Sequence, residues 1–135
     1  MSEEPRLREA INEIKKRLAK YPGVVYQSRN SDISVPPRDS AGFSVSLHFQ
    51  GTNFIVSFDG WHETFTEAEE AVNCFVMGLT DSCRLEVELR RGMARKWTLQ
   101  RLSDGSWVTH SEVGLLLFPF WRRKRVVYRQ NHLSR

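Results

Sequence analysis

A short polar segment holds the side chains best suited to acid–base chemistry. Asp59, His62 and Glu63 lie within five residues of one another, and a histidine beside a carboxylate can act as a general base whose ring the carboxylate orients. Residues adjacent in sequence rarely converge on one point. We therefore expect Asp59 and Gly60 to form a turn and the other two side chains to face water. An enzyme that uses these three residues therefore ranks third, after the two binding functions considered below.

The other potential nucleophiles and metal ligands show no recognisable pattern. The four histidines lack the close spacings that give a metal ion a rigid platform. The glycine motifs of P-loops, dinucleotide-binding folds and hydrolase nucleophiles do not occur. Cys74 and Cys83 lack the Cys-x-x-Cys spacing and are expected to be reduced thiols. The sequence therefore predicts no catalytic residue, no metal site and no cofactor.

Positive charge is concentrated in the second part of the chain. The 135 residues carry a net charge of +4, yet residues 1–83 contain 8 Lys/Arg against 12 Asp/Glu, whereas residues 84–135 contain 12 against 4. Such an asymmetry indicates an anionic partner. The alternative is that folding interleaves the two sets of charges and leaves no basic patch.

The candidate binding residues fall in two groups. One lies in a predicted strand pair, and the other continues an apolar run at 115–121, which is either a docking patch or a segment that completes the core. The residues predicted to bind are Arg90, Arg91, Arg95, Lys96, Trp121, Arg122, Arg123, Lys124 and Arg125.

The favoured partner is an acidic protein, and the alternative is a nucleic acid. Arginines interleaved with Trp97 and Trp107 would suit phosphate contacts and base stacking, and Arg101 would belong to the same set. Strand alternation, however, places Trp97 with Leu99 on the core face, and no RNA-binding aromatic motif occurs. The sequence thus predicts a small, soluble, non-catalytic binding or adaptor protein.

Hydrophobic periodicity predicts the elements that position these residues. A stripe at Leu7, Ile11, Ile14 and Leu18 predicts a helix over 5–20, and period-two alternation predicts a hairpin over 43–59. Thr66 and Glu69 form a capping-box pattern that opens a second helix ending near Thr80. The remaining predicted strands are 84–90, 95–102, 107–110 and 126–128.

These elements predict the α+β class, with two helices and an antiparallel sheet of about six strands in the order α-βββ-α-βββ(β). The length suits a single domain over residues 1–135. No apolar run approaches the roughly 20 residues that span a bilayer, and no secretory signal is found. We therefore expect a cytoplasmic protein without integral membrane association.

The second helix carries more apolar surface than one side of a sheet covers. From Val72 to Leu79 it is apolar almost all round. Residues 28–42 or 115–121 could cover the spare face. If neither does, a homodimer that packs this face against itself is expected.

Overall fold

The computed structural model describes residues 3–114 and 124–132. These ranges contain two α-helices, α1 (Glu3–Leu18) and α2 (Ala68–Met77). The nine strands within them are β1 (Gln27–Ser28), β2 (Asp32–Val35), β3 (Val45–Gln50), β4 (Asn53–Phe58), β5 (Trp61–Phe65), β6 (Cys83–Arg90), β7 (Met93–Ser103), β8 (Ser106–Gly114) and β9 (Lys124–Arg129).

The α+β class is confirmed, but the single sheet of about six strands is wrong. All strand pairs are antiparallel and form two sheets, one ordered β1-β2-β3-β4-β5 and the other β8-β7-β6-β9. The first sheet gains β2, and half of β1, from the polar stretch 28–42, in which Pro36 and Pro37 favour a loop or a ragged edge. It also gains β5, because Asp59, at a φ of 51°, and Gly60 form a two-residue turn that pairs Phe58 with Trp61.

One hydrophobic cluster draws on both helices and both sheets. The predicted stripe of α1 is buried, as are alternate residues of β3 and β4. Cys83, Leu85 and Val87 of β6 add the inner face of the second sheet. Trp61 joins the sheets directly, since its Nε1 donates to Ser111 Oγ at 2.8 Å.

Helix α2 packs mainly inside the chain, and its start differs from the predicted one. It begins at Ala68, and Glu67 at its N-cap makes no side-chain capping bond, so the Thr66/Glu69 capping box does not form. Its apolar faces contact α1 and the first sheet, Cys74 is buried, and Val76 and Met77 are half-buried against the core. The apolar surface left open on this helix is confined to the partly exposed Val76 and Met77, and the homodimer stays a prediction.

Candidate functional site

The register of the second sheet brings six of the predicted binding residues to one end. Arg90 pairs with Met93 across the β6–β7 turn and with Lys124 on β9. Leu89 pairs with Arg125, and a register shift after Glu88 leaves Arg95 as the extra residue of a bulge. We call this end of the sheet the basic tip. It comprises Arg90, Arg91, Arg95, Lys96, Lys124 and Arg125.

A tight turn presents the outermost cation of the basic tip. Arg91 and Gly92 occupy the two turn positions at φ values of 58° and 76°, the left-handed geometry of a two-residue hairpin. Arg91 is exposed there. The other predicted binding residues, Trp121, Arg122 and Arg123, lie outside the described residues. The rest of the apolar run, 115–120, lies outside them as well.

Carboxylates neutralise only part of the basic tip. Arg90 Nε lies 3.1 Å from Glu88 Oε2, and both side chains are nearly buried. Lys96 Nζ lies 3.2 Å from Glu112 Oε2 at a more exposed position. Within residues 3–114 and 124–132, no ion pair neutralises Arg91, Arg95 or Arg125.

An exposed methionine lies beside two of these arginines, Arg91 and Arg95. Met93 follows the turn, and 56% of its surface is accessible. Arg95 Nη2 lies 3.5 Å from its sulfur, while the Nε of the same guanidinium is buried without a hydrogen-bond partner. The basic tip therefore offers two unneutralised cations, Arg91 and Arg95, beside a flexible apolar side chain, which can adapt to an apolar group on a partner.

Neither Trp97 nor Trp107 offers an exposed ring among the cations of the basic tip. Trp97 is half-buried, its ring packs over Gly60, and it contacts the core cluster, so its predicted core position is confirmed. Trp107 pairs with Leu102 at the opposite end of the sheet. Its ring centroid lies 4.4 Å from the guanidinium carbon of Arg84, which also lies 4.1 Å from the centroid of Tyr128. Arg101 lies at this far end too, opposite Cys83.

The residues considered for acid–base catalysis lie apart. Asp59 Oδ1 accepts hydrogen bonds from the backbone N–H and the hydroxyl of Ser44, at 3.0 and 2.9 Å. His62 and Glu63 are neighbours on β5 and so project to opposite faces. Glu63 Oε1 instead lies 3.0 Å from Nε2 of His110 on β8. Glu63 and His110 are 47 residues apart in the sequence. Sequence patterns could not predict this pair, because it forms only where the two sheets meet.

A cleft that the sequence did not indicate opens between the segments that follow α1, β2 and α2. Its volume is about 290 Å³, and it is lined mainly by Val24, Val35, Pro36, Pro37, Leu79 and Arg38. Asn131 also lines it, but the amide of this residue is fully used by backbone groups of neighbouring segments. Arg38 and His132 are the other polar side chains in its lining.

The two thiols are protected from reaction. Both cysteines are free and buried. Burial raises the pKa of Cys74 from 9.0 to about 12, with further contributions from Glu63 and Cys83, and burial raises the pKa of Cys83 to about 12 as well. A thiol that stays protonated is a poor nucleophile. In the part of the chain that the structure describes, no three His, Cys, Asp or Glu side chains group to hold a metal ion.

The raised thiol pKa values predict a loss of stability in alkali. Unfolded thiols release protons near pH 9, whereas the folded thiols keep theirs until about pH 12. The folded state thus binds more protons in this window, and the free energy of unfolding falls by up to about 1.4 kcal/mol per pH unit for each thiol. Urea unfolding at a series of pH values should show a shallower fall for Cys74→Ala/Cys83→Ala than for the wild type. Equal slopes would contradict the assignment.

Comparison with known proteins provides no family assignment. No protein-family model, curated protein or solved structure matches the chain. Neither helix within the described ranges is both long and apolar enough to cross a membrane.

Proposed function

We propose that this chain is a non-catalytic binding protein whose basic tip docks on an acidic surface of a partner protein. The observation that carries the proposal is that Arg91 and Arg95 lie beside exposed Met93, while Arg125 adds a further cation at the same end of the sheet. Cations beside an apolar side chain resemble the composition of protein interfaces, in which arginine and methionine are enriched. Complementary charge would steer the partner and fix its orientation.

A partner protein is favoured over a nucleic acid because the basic tip offers no aromatic platform among its described residues. Single-stranded nucleic acids bind through phosphate contacts together with bases stacked on aromatic rings. Trp97 is engaged with Gly60 and the core, and Trp107 stacks on Arg84 at the far end of the sheet. Neither ring is therefore available to stack on the bases of a nucleic acid bound to the basic tip.

Charge reversal at the basic tip provides the test. The probes are a fluorescent peptide of alternating glutamate and leucine and a mixed-sequence single-stranded oligonucleotide, followed by anisotropy at equal ionic strength. Arg91→Glu/Arg125→Glu should weaken peptide binding by about tenfold or more, because two desolvated charge contacts become repulsive. The control Lys20→Glu/Arg101→Glu makes the same change in net charge at exposed positions away from the tip and should leave the affinity within about threefold.

A second variant separates specific docking from bulk attraction. Met93→Ser should weaken binding of the glutamate–leucine peptide and leave binding of an all-glutamate peptide unchanged, because only the first peptide has an apolar group to place on Met93. Tighter binding of the oligonucleotide than of either peptide would overturn the proposal in favour of nucleic acid. Absence of peptide binding at low salt, or an equal loss in the control double variant, would also overturn it.

A further inference from the structure

We propose that a second site, a recess between α1 and the β1–β2 turn, binds a small molecule that carries phosphate groups. The recess has a volume of about 270 Å³. One wall comes from α1 and the other from the turn that follows β1. The lining residues are Arg8, Ile11, Asn12, Lys15, Ser28, Arg29 and Asn30.

Helical spacing creates the first wall. Arg8, Asn12 and Lys15 follow one another at i, i+4 and i+7, so they share one face of α1. Ile11 belongs to the buried stripe and forms an apolar floor beside them. A different stripe holds Glu9 and Glu13, which line a groove on the side of α1 that faces α2. Glu9 and Glu13 therefore line a different groove, and no carboxylate lines the recess.

The turn supplies the opposite wall and a third cation. The backbone N–H of Arg29 donates to the carbonyl oxygen of Asp32 at 2.8 Å, which closes the turn. Ser28 and Asn30 flank Arg29 and are exposed. Their hydroxyl and amide groups can donate hydrogen bonds to an oxyanion. The recess thus combines cations and neutral donors from two separate segments.

Charge identifies the kind of ligand. Three cations line the recess without any carboxylate, although the first 83 residues carry more acidic than basic groups. Lys15 and Arg29 form no ion pair among the described residues. Lys15 and Arg29 lie on opposite walls of the recess, and a polyvalent oxyanion between them would compensate both charges. Guanidinium groups match phosphate with two parallel hydrogen bonds, and lysine contributes a point charge.

Titration with simple anions tests this site independently of the basic tip. The probes are inorganic phosphate, pyrophosphate and acetate, added at constant ionic strength and followed by backbone amide shifts in NMR spectra. Pyrophosphate should bind more tightly than phosphate, acetate should not saturate, and the shifts should centre on Asn12 and Asn30. Lys15→Gln/Arg29→Gln should weaken pyrophosphate binding by about tenfold, the loss of a charge-assisted contact worth roughly 1.4 kcal/mol.

Two controls locate the effect. Lys16→Gln removes a cation from the same helix outside the recess, and Arg91→Gln/Arg125→Gln removes two from the basic tip. Both should keep the wild-type pyrophosphate affinity within about twofold, since exposed distant charges are screened. Equal binding of acetate and pyrophosphate would overturn the proposal. So would shifts centred on the basic tip, or wild-type affinity in Lys15→Gln/Arg29→Gln.

Discussion

Gly78→Ala is expected to lower the free energy of unfolding by about 3 kcal/mol, the upper part of the usual range for overpacking a core. A Cβ at this position would overlap the ring of Phe58. That ring is fully buried and cannot retreat, because it stacks on Trp61 at 4.8 Å and packs against Phe43 at 5.2 Å between ring centroids.

The sign of this change distinguishes packing from backbone preference. Gly78 caps the C-terminus of α2 at a φ of −62°, where alanine meets no backbone strain. Helix propensity alone would favour alanine by up to about 1 kcal/mol. Urea unfolding is the measurement, and Gly114→Ala is the matched control, because a Cβ there reaches its nearest neighbour, the Lys96 side chain, at an ordinary 3.7 Å. A Gly78→Ala protein as stable as the control would contradict the packing described for Phe58.

Replacing Asn131 should have a comparable effect through lost hydrogen bonds. Its Oδ1 accepts from the backbone N–H of Phe43 at 3.1 Å. Its Nδ2 donates to the carbonyl oxygens of Phe43 and Gly78, at 3.1 and 2.8 Å. Asn131→Ala leaves three backbone groups unpaired in a half-buried region, and we expect a loss of about 3 kcal/mol in the free energy of unfolding.

Asn131→Asp refines this expectation with a pH dependence. The carboxylate keeps the acceptor but faces two carbonyl oxygens, so the folded state raises its pKa above the ordinary value of about 3.9. The folded state then binds the proton more tightly, and the deficit relative to wild type should shrink as the pH falls toward this range. Asn12→Ala, at an exposed asparagine, is the control and should change stability by less than about 0.5 kcal/mol. A deficit that grows in acid would contradict the hydrogen-bond assignment.

Local patterns predicted most elements but not the division into two sheets. The stripe from Leu7 to Leu18 identified α1, and alternation identified β3, β4, β6 and β7. Strand β5 was missed because His62, Glu63 and Thr64 look like a polar connection, although Trp61 and Phe65 alternate correctly with them. Strands β1 and β2 are too short to show a period. Their pairing depends on contact with β3, which no local window contains.

The candidate sites were predictable to different degrees. The composition of 84–135 indicated the basic residues, and the two-residue turn at Arg91 and Gly92 explains why several of them meet. The expected mixture of these cations with Trp107 did not form, because the β7–β8 hairpin carries that ring to the far end of the sheet. The recess beside α1 was missed, since it depends on the approach of Arg29 to a helix face more than ten residues earlier.

The bonds made by residues 129–131 bear on the order in which the chain folds. Arg129 Nη1 donates to the carbonyl oxygen of Ser40, and the backbone N–H of Gln130 donates to the carbonyl oxygen of Ala41. Asn131 Oδ1 accepts from the backbone N–H of Phe43. These contacts join residues that are 88 to 89 positions apart. Joining segments so far apart costs chain entropy before their contacts stabilise the chain, and folding slows as such separations increase. During synthesis, a nascent chain that has not yet exposed residues 129–131 lacks these closing contacts. The last steps of folding therefore follow translation of this segment.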